Sequence, residues 1–340
     1  MVKSAKDVSL EAQRPSRAAQ GRKEASSRQG AENKKLSKRA KVSPIETETK
    51  RASRIEDETG AQSEIEEVRH GFYVYGIMRR IDDLSVARLP EKGIAPTYPV
   101  YVLPHRAIQA IVSKVSLVEF DQEALETNLQ DTQWLAAKVY AHESIIEAVF
   151  AHCTLIPMRF CTIFRSESRV REMLGEHHDD FVNTLTRLEG KKEWGLKVFG
   201  DGAILAQRIG EVSDRVKRLE MEMAEKSGGA AYLWKKRLEE AIAGEIDRVG
   251  IECAQHGHDR LSSRAEESVT NPLQGKEITS RMEEMILNGA YLVADERLGA
   301  FQAELAGLED EYGALGFSFQ VSGPWPPYNF VASPYKEARK

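Results

Sequence analysis

The chain has 340 residues, 48 basic and 53 acidic, for a formal net charge of −5. That length sets an expectation of about two domains, and 41% hydrophobic with 30% charged residues suits folded cores in a soluble protein. No apolar run reaches the length of a membrane span, the N-terminus has no apolar h-region of a secretory signal, and the overall charge carries no nucleic-acid signature. Cys153, Cys161 and Cys253 are odd in number and far apart, which argues against a disulfide framework and for a reducing cytoplasm.

Residues 1–70 contain no Phe, Trp or Tyr. Such a segment buries too little apolar surface to offset its ordering entropy, so a disordered tail is expected. Its charge is split. Basic residues dominate up to Lys34-Lys35-Leu36-Ser37-Lys38-Arg39-Ala40-Lys41, and acids dominate from Glu46 to Glu67. A solvated tail is the plain reading, and a basic arm touching an acidic partner, nucleic acid or lipid headgroups is the sharper one.

Order is expected to begin at Gly71. Phe72 to Met78 is aromatic and β-rich, a Pro/Gly loop covers Leu89 to Pro99, and short strands are predicted at Val100–Leu103 and Arg106–Val115. Asp121 and Asp131 are placed to cap helices. In the second of these, Leu135, Val139, His142, Ile146 and Val149 form one helical stripe. Thr154 to Phe160, with Pro157 inside, suits an edge or bulged strand. One further helix is expected from Ser166 or Glu167 through Leu188, ending at Gly190 in a left-handed conformation.

A second unit opens with a strand at Glu193–Gly200. Helices are expected from Ala203 to Met223 and, after Gly228-Gly229, from Ala230 to about Cys253. The polar stretch His256–Gly275 reads as a loop or insertion. The last part of Met282–Ala294 reads as strand, Glu296–Tyr312 as helix and Phe317–Val321 as the final strand. Strands at the ends of each unit with helices between them give an α+β class. Two ferredoxin-like, split-βαβ units are the simplest topology, with long helices inserted in the second. The expected division is a tail at 1–70, domains at 71–190 and 191–333, and a polar C-terminal tail at 334–340.

Catalytic motifs are missing from the sequence: no phosphate loop, dinucleotide fingerprint or nucleophile elbow is found. Cys253-x-x-His256-x-His258-Asp259 carries zinc-ligand residue types, but its spacing matches no standard zinc pattern, and a polar helix end is preferred. His177-His178-Asp179-Asp180 reads as a solvated helix face, because adjacent helical residues diverge. His142 sits on an apolar stripe, where a core histidine is the default over a base or a haem ligand. Cys161 is expected to be a packed thiol. Arg159 interrupts an apolar strand and would need a carboxylate if buried. Trp134, Trp194 and Trp325 read as core or interface anchors, and an exposed Trp234 on a charged helix would mark a docking face. Gly323-Pro324-Trp325-Pro326-Pro327-Tyr328-Asn329-Phe330 combines a stiff backbone with large aromatics. It is expected to clasp the terminal strand to the chain's own body through Trp325 and Phe330.

Several of these segments together resemble one family. Tyr73-Val74-Tyr75-Gly76-Ile77, Trp134-Leu135 followed by His142-Glu143, and Leu155 to Thr162 (similar to an LPLRFGT segment) occur in the family's order. They are followed by Gly190 to Val198 (similar to GKxEWGVKV), Tyr291-Leu292-Val293 and the Gly323–Phe330 ending (similar to GPWPPYSF). The chain thus resembles the gas vesicle protein F/L family from about Gly71 to Val331. The resemblance implies two α+β domains, at least one ferredoxin-like, and a non-enzymatic accessory role in gas vesicle formation. It implies no cofactor or metal. Implied partners are the hydrophobic shell protein, gas vesicle protein A, and other accessory proteins, at a cytoplasmic or vesicle location. On this basis Arg159, Trp194, Trp325 and Tyr328 are expected to organise the body, with the helices around Trp234 as a partner face. Cys161 stands where the family has Gly, so a positive φ there would carry strain of about 1 kcal/mol. The competing readings are a haem-linked ferredoxin-like enzyme using His142 or His152, and an adaptor acting through the basic arm.

Overall fold

The computed structural model describes residues 70–82 and 89–331. The expected N-terminal tail and the polar segment 334–340 lie outside the described residues.

The first sheet is built on β1 (His70–Arg79), whose side chains are buried on both faces. It pairs antiparallel with β3 (Ile108–Ser116) on one side, and on the other with β4 (Leu155–Pro157) and the short β5 (Ile163–Phe164). β2 (Val100–His105) closes the far edge, giving the order β2-β3-β1-β4. Tyr73, Tyr75 and Met78 enter one core and Val74 and Ile77 another, as strand alternation requires, with a bulge between Val74 and Gly76. Gly76 is required by the close approach of β4: a Cβ there would lie 2.7 Å from the Leu155 side chain and 2.8 Å from the Ile156 carbonyl oxygen.

Helices cover both faces. α1 (Leu117–Phe120), α2 (Gln122–Asn128) and α3 (Thr132–Phe150) begin at Ser116, Asp121 and Asp131, each of which accepts backbone N–H groups through its side chain. α3 lays Leu135, Ile145, Ile146 and Val149 against the tyrosine face. On the opposite face lie α4 (Glu167–Glu176) and α5 (His178–Leu188). The single helix expected here is divided at His177, which leaves helical dihedrals at φ −107° and ψ 18°. Asp179 and Asp180 then sit in the first turn of α5, where the helix dipole favours acids. Gly190, at φ +68°, makes the expected left-handed turn into the next strand.

The second sheet holds β6 (Lys191–Gly200), β7 (Glu267–Thr270), β8 (Glu284–Ala294) and β9 (Phe317–Trp325) in the order β7-β8-β6-β9, all antiparallel. Counted within its own unit, each sheet has the order 2-3-1-4, the split-βαβ arrangement. In the second unit, α6 (Gly202–Val212), α7 (Asp214–Ala224) and α8 (Gly229–Ser262) join its first two strands. α9 (Lys276–Thr279) lies between β7 and β8, and α10 (Leu298–Tyr312) leads to β9. In the first unit, the described residues between β1 and β2 form loop, not helix.

Two expectations about these helices are corrected. The Ala203–Met223 helix is broken at Ser213, which turns extended (φ −116°, ψ 106°) and caps α7 through its hydroxyl. The expected loop after Cys253 is helical through Ser262, because Cys253, Gly257 and Leu261 continue the buried stripe of Leu238, Ala241 and Val249.

α4 and α5 form a layer between the sheets. Val170, Leu174, Phe181, Leu185 and Leu188 share one core with Val74 and Ile77 of β1 and with Ala290 and Leu292 of β8. The other face of β8, with Tyr291 and Val293, joins Leu196 and Val198 in a third core under α6, α8 and α10.

The final strand does not stop at Val321. It reaches Trp325, which pairs with Glu193, and its edge position tolerates Pro324. Pro326, Pro327 and Phe330 are then buried. The Asn329 backbone N–H donates to the Glu193 carboxylate at 2.9 Å, and Tyr328 Oη donates to Glu143 of α3 at 2.7 Å. Arg187 of α5 donates to the Phe330 carbonyl and pairs with Glu267 of β7. Phe330 enters the shared core. Trp325 does not: it is 42% exposed, and its indole N–H donates to Ser322 Oγ. The expected clasp is therefore carried by Phe330, the prolines and Asn329, not by Trp325. Phe330→Ala should cost about 3–5 kcal/mol in denaturant unfolding, whereas Trp325→Ala should cost about 1 kcal/mol or less. Equal losses would contradict this division of labour.

Candidate interaction surfaces

One set of buried polar groups in the first core is engaged in a chain of hydrogen bonds. Cys161 N–H donates to Tyr73 Oη at 2.8 Å, Tyr73 Oη lies 3.0 Å from His142 Nδ1, and the His142 ring also bonds the Met158 backbone. A carbonyl can only accept, so His142 carries its proton on Nε2 and Nδ1 accepts from the tyrosine. Burial pushes its pKa down to about 3. With both nitrogens engaged, His142 is a core histidine, and His152, the other haem candidate, is exposed. Burial likewise raises the Cys161 thiol to about 12, far from a reactive thiolate. Cys161 adopts φ +61°, in the left-handed region that favours Gly.

Three further histidines of the sequence candidates, His178, His256 and His258, are hydrogen-bonded within the fold. Cys253 faces the third core with its thiol pushed up to about 12 by burial. His256 Nδ1 lies 2.8 Å from Tyr312 Oη, and His258 Nδ1 3.1 Å from Tyr291 Oη. His178 Nδ1 lies 2.9 Å from Asp179. Among the described residues, no group of three or more His, Cys, Asp or Glu is placed to hold a metal ion.

The five residues singled out from the sequence fall in separate places. Arg159 is exposed in the turn after β4, so burial does not demand a carboxylate for it. Trp194 is half-buried beside the third core, opposite Tyr291. Trp234 is half-buried on α8, with Lys226 and Arg237 5.6 and 5.3 Å from its ring centre. Tyr232 and Leu233 beside it are exposed. Trp325 and Tyr328 belong to the clasp segment, both partly exposed.

A surface the sequence reading missed lies between α8, the start of β8 and the segment leading into it. It is a half-open groove of about 910 Å³. Ile246, Gly250 and Ala254 of α8, with Met285 and Leu287 of β8, are among its lining residues. Met282, Ile251 and Leu273 also line it and are 85%, 72% and 55% exposed. Asp201, Asp247, Glu283 and Glu284 stand at its sides with a single Lys276. Covering what remains exposed of these three side chains would contribute about 3–6 kcal/mol before the cost of association, which is itself about 4 kcal/mol or more. The balance suits reversible contact. The only hint in the sequence was Leu273 and Met282 within otherwise polar segments.

The family model described as gas vesicle synthesis protein GvpL/GvpF matches residues 71–332, the span of both sheets. The chain belongs to this family. It is 31% identical over 263 residues to gas vesicle protein L of a Streptomyces species, covering 76% of this chain and 92% of that protein. It is 26% identical to gas vesicle protein L1 of Halobacterium salinarum, covering 83% and 97%. Crystal structures of GvpF share the fold. The Anabaena protein has a TM-score of 0.57 at 17% identity, covering 77% of this chain and 98% of that one. The Microcystis aeruginosa protein has a TM-score of 0.51 at 19% identity, covering 76% and 98%.

Two predictions concern the first core of this GvpL/GvpF chain. Between pH 6.5 and about 3 the unfolded chain protonates His142 while the fold keeps it neutral, so the unfolded state binds more protons and stability is lost as the pH is lowered through this range. The slope from this group should approach about 1.4 kcal/mol per pH unit. His142→Gln should remove that contribution in denaturant titrations across the range, and an unchanged slope would contradict the neutral assignment. At position 161, the Gly variant should be about 1 kcal/mol more stable than the Ala variant, since only Gly relieves a positive φ. The opposite order would show that the backbone is not held there.

Proposed function

We propose that this gas vesicle accessory protein binds the hydrophobic shell protein, gas vesicle protein A, and other accessory proteins. It supports nucleation or keeps shell subunits from aggregating, acts without catalysis and works in the cytoplasm or on the vesicle. The observation that carries the reading is the set of large apolar side chains left exposed on the second unit of a GvpL/GvpF chain: Met221, Tyr232, Leu233, Ile251 and Met282. A factor that shields aggregation-prone subunits needs apolar surface that is covered and released, whereas catalysis needs convergent polar groups. We take residues 71–190 and 191–333 as its two domains, with Arg159, Trp194, Trp325 and Tyr328 at the body and Trp234 on the partner face. Against the haem reading, both ring nitrogens of His142 are engaged within the core, and the basic-arm reading lies outside the described residues.

The test is co-purification of the shell protein with the full chain, together with light scattering of shell protein diluted from denaturant. Retention of the shell protein and suppressed scattering at near-stoichiometric ratios are expected. No retention together with unaltered scattering would reject the reading.

A further inference from the structure

The groove beside α8 has a chemistry of its own, distinct from general apolar exposure. Its lining is largely apolar, and the charged residues among it are mostly acidic. Four carboxylates, Asp201, Asp247, Glu283 and Glu284, face it against one Lys276. Two of the four are already committed: Asp201 caps α6, and Glu283 pairs with Arg281. Asp247 and Glu284 have no ion-pair partner among the described residues. We propose that this groove is a docking site for an amphipathic helix of a partner protein, one that carries Lys or Arg along the borders of its apolar stripe.

Three observations select that occupant. First, the surface on offer is mainly side chains. β8 is paired with β6 along its length and with β7 over Gly289–Leu292, and Asn271 N–H continues that pairing to the Asn288 carbonyl, so only the short stretch Glu284–Leu287 lies beyond it. An added strand would find few backbone partners there and would leave Ile251 of α8 uncovered, so helix-in-groove binding fits better. Second, the volume of about 910 Å³ lies near the top of the range for preformed pockets, which suits several side chains from successive helical turns. Ile251, Leu273 and Met282 provide the exposed anchors. Third, the acidic sides select a basic flank and reject an acidic one through like-charge repulsion. The chain's own basic segment, Lys34 to Lys41, meets the charge requirement but carries only Leu36 as a large apolar side chain. It cannot fill the floor. The site also does not require the partner to be a shell subunit, so it stands or falls apart from the shell-binding reading.

The experiment uses the full chain and a labelled Leu/Lys peptide with leucines at helical i, i+3, i+4 and i+7 spacing. A scrambled peptide of the same composition and a Leu/Glu peptide are the controls. Fluorescence anisotropy should show binding of the Leu/Lys peptide only, weakened by salt. Met282→Glu and Ile251→Glu, both at exposed positions, should each weaken it by about tenfold or more. Asp247→Asn combined with Glu284→Gln should weaken it by about threefold and flatten the salt dependence. A photo-crosslinking residue at position 282 should capture the Leu/Lys peptide. Equal binding of the scrambled peptide, or wild-type affinity in both glutamate variants, would overturn the proposal. So would crosslinks confined to residues 1–69 or to a second copy of the chain. No shell protein enters these measurements, so failure here leaves the shell-binding reading intact, and failure of shell binding leaves this site intact.

Discussion

The structure depends on one shared hydrophobic layer. α4 and α5 present Val170 and Leu174, then Phe181, Leu185 and Leu188, to two sheets at once. Neither sheet could bury that face alone, since an antiparallel sheet leaves one side wet unless something covers it. The helices of a split-βαβ unit ordinarily pack on one face of their own sheet. Here the second sheet supplies the opposite cover through Ala290 and Leu292. The order of layers follows: α3, first sheet, α4 and α5, second sheet, then α6, α8 and α10. The terminal segment closes the same layer, because Phe330 enters it and Arg187, on α5, holds the Phe330 carbonyl.

Buried polar groups cost stability unless hydrogen bonds compensate them. Glu193 illustrates the rule. It is buried, and desolvation raises its carboxyl above the usual range, while Asn329 donates to it and partly offsets that cost. Because the charged form is the penalised one, this residue opposes stability as pH rises through its folded value, the reverse of His142. The tyrosine–histidine chain under α3 is neutral throughout, which makes it less costly to bury than an ion pair. It also explains how Cys161 persists at a positive φ. Its N–H is held by Tyr73, and its side chain packs in the first core.

Most elements were legible because local patterns and tertiary packing agree. Asp121, Asp131 and Ser166 cap the helices they were expected to cap. The stripe of α3 faces the core its spacing implied. Misreadings arose where polarity and helicity part company. His256 and His258 looked like loop residues, yet Tyr312 and Tyr291 supply hydroxyls that let a polar turn stay helical. The breaks at His177 and Ser213 have no Pro and no Gly at the break itself; Gly175 and Gly210 lie inside the last turn of the preceding helices. Arg159 looked anomalous because the strand was read too long: β4 ends at Pro157, and the arginine falls in the turn beyond it. The groove was invisible for a different reason. Its walls come from segments distant in sequence, α8, β8 and the chain near Leu273, and only the fold brings them together.

The division between inner and outer apolar surface bears on how such a chain can assist assembly. The clasp and the shared layer lie on one side of the second sheet, and the groove lies on the other, against α8. A ligand can therefore enter the groove without parting Phe330 from α4 and α5, and binding need not be coupled to opening of the body. The exposed anchors are few, so their gross burial is of the same size as the association cost. An accessory protein that must release its partner to a growing assembly gains from that balance. Deeper burial would raise affinity by slowing dissociation, since related complexes differ mainly in off-rate. Acidic walls add discrimination without adding much hydrophobic area, which separates selectivity from tightness and keeps the contact reversible.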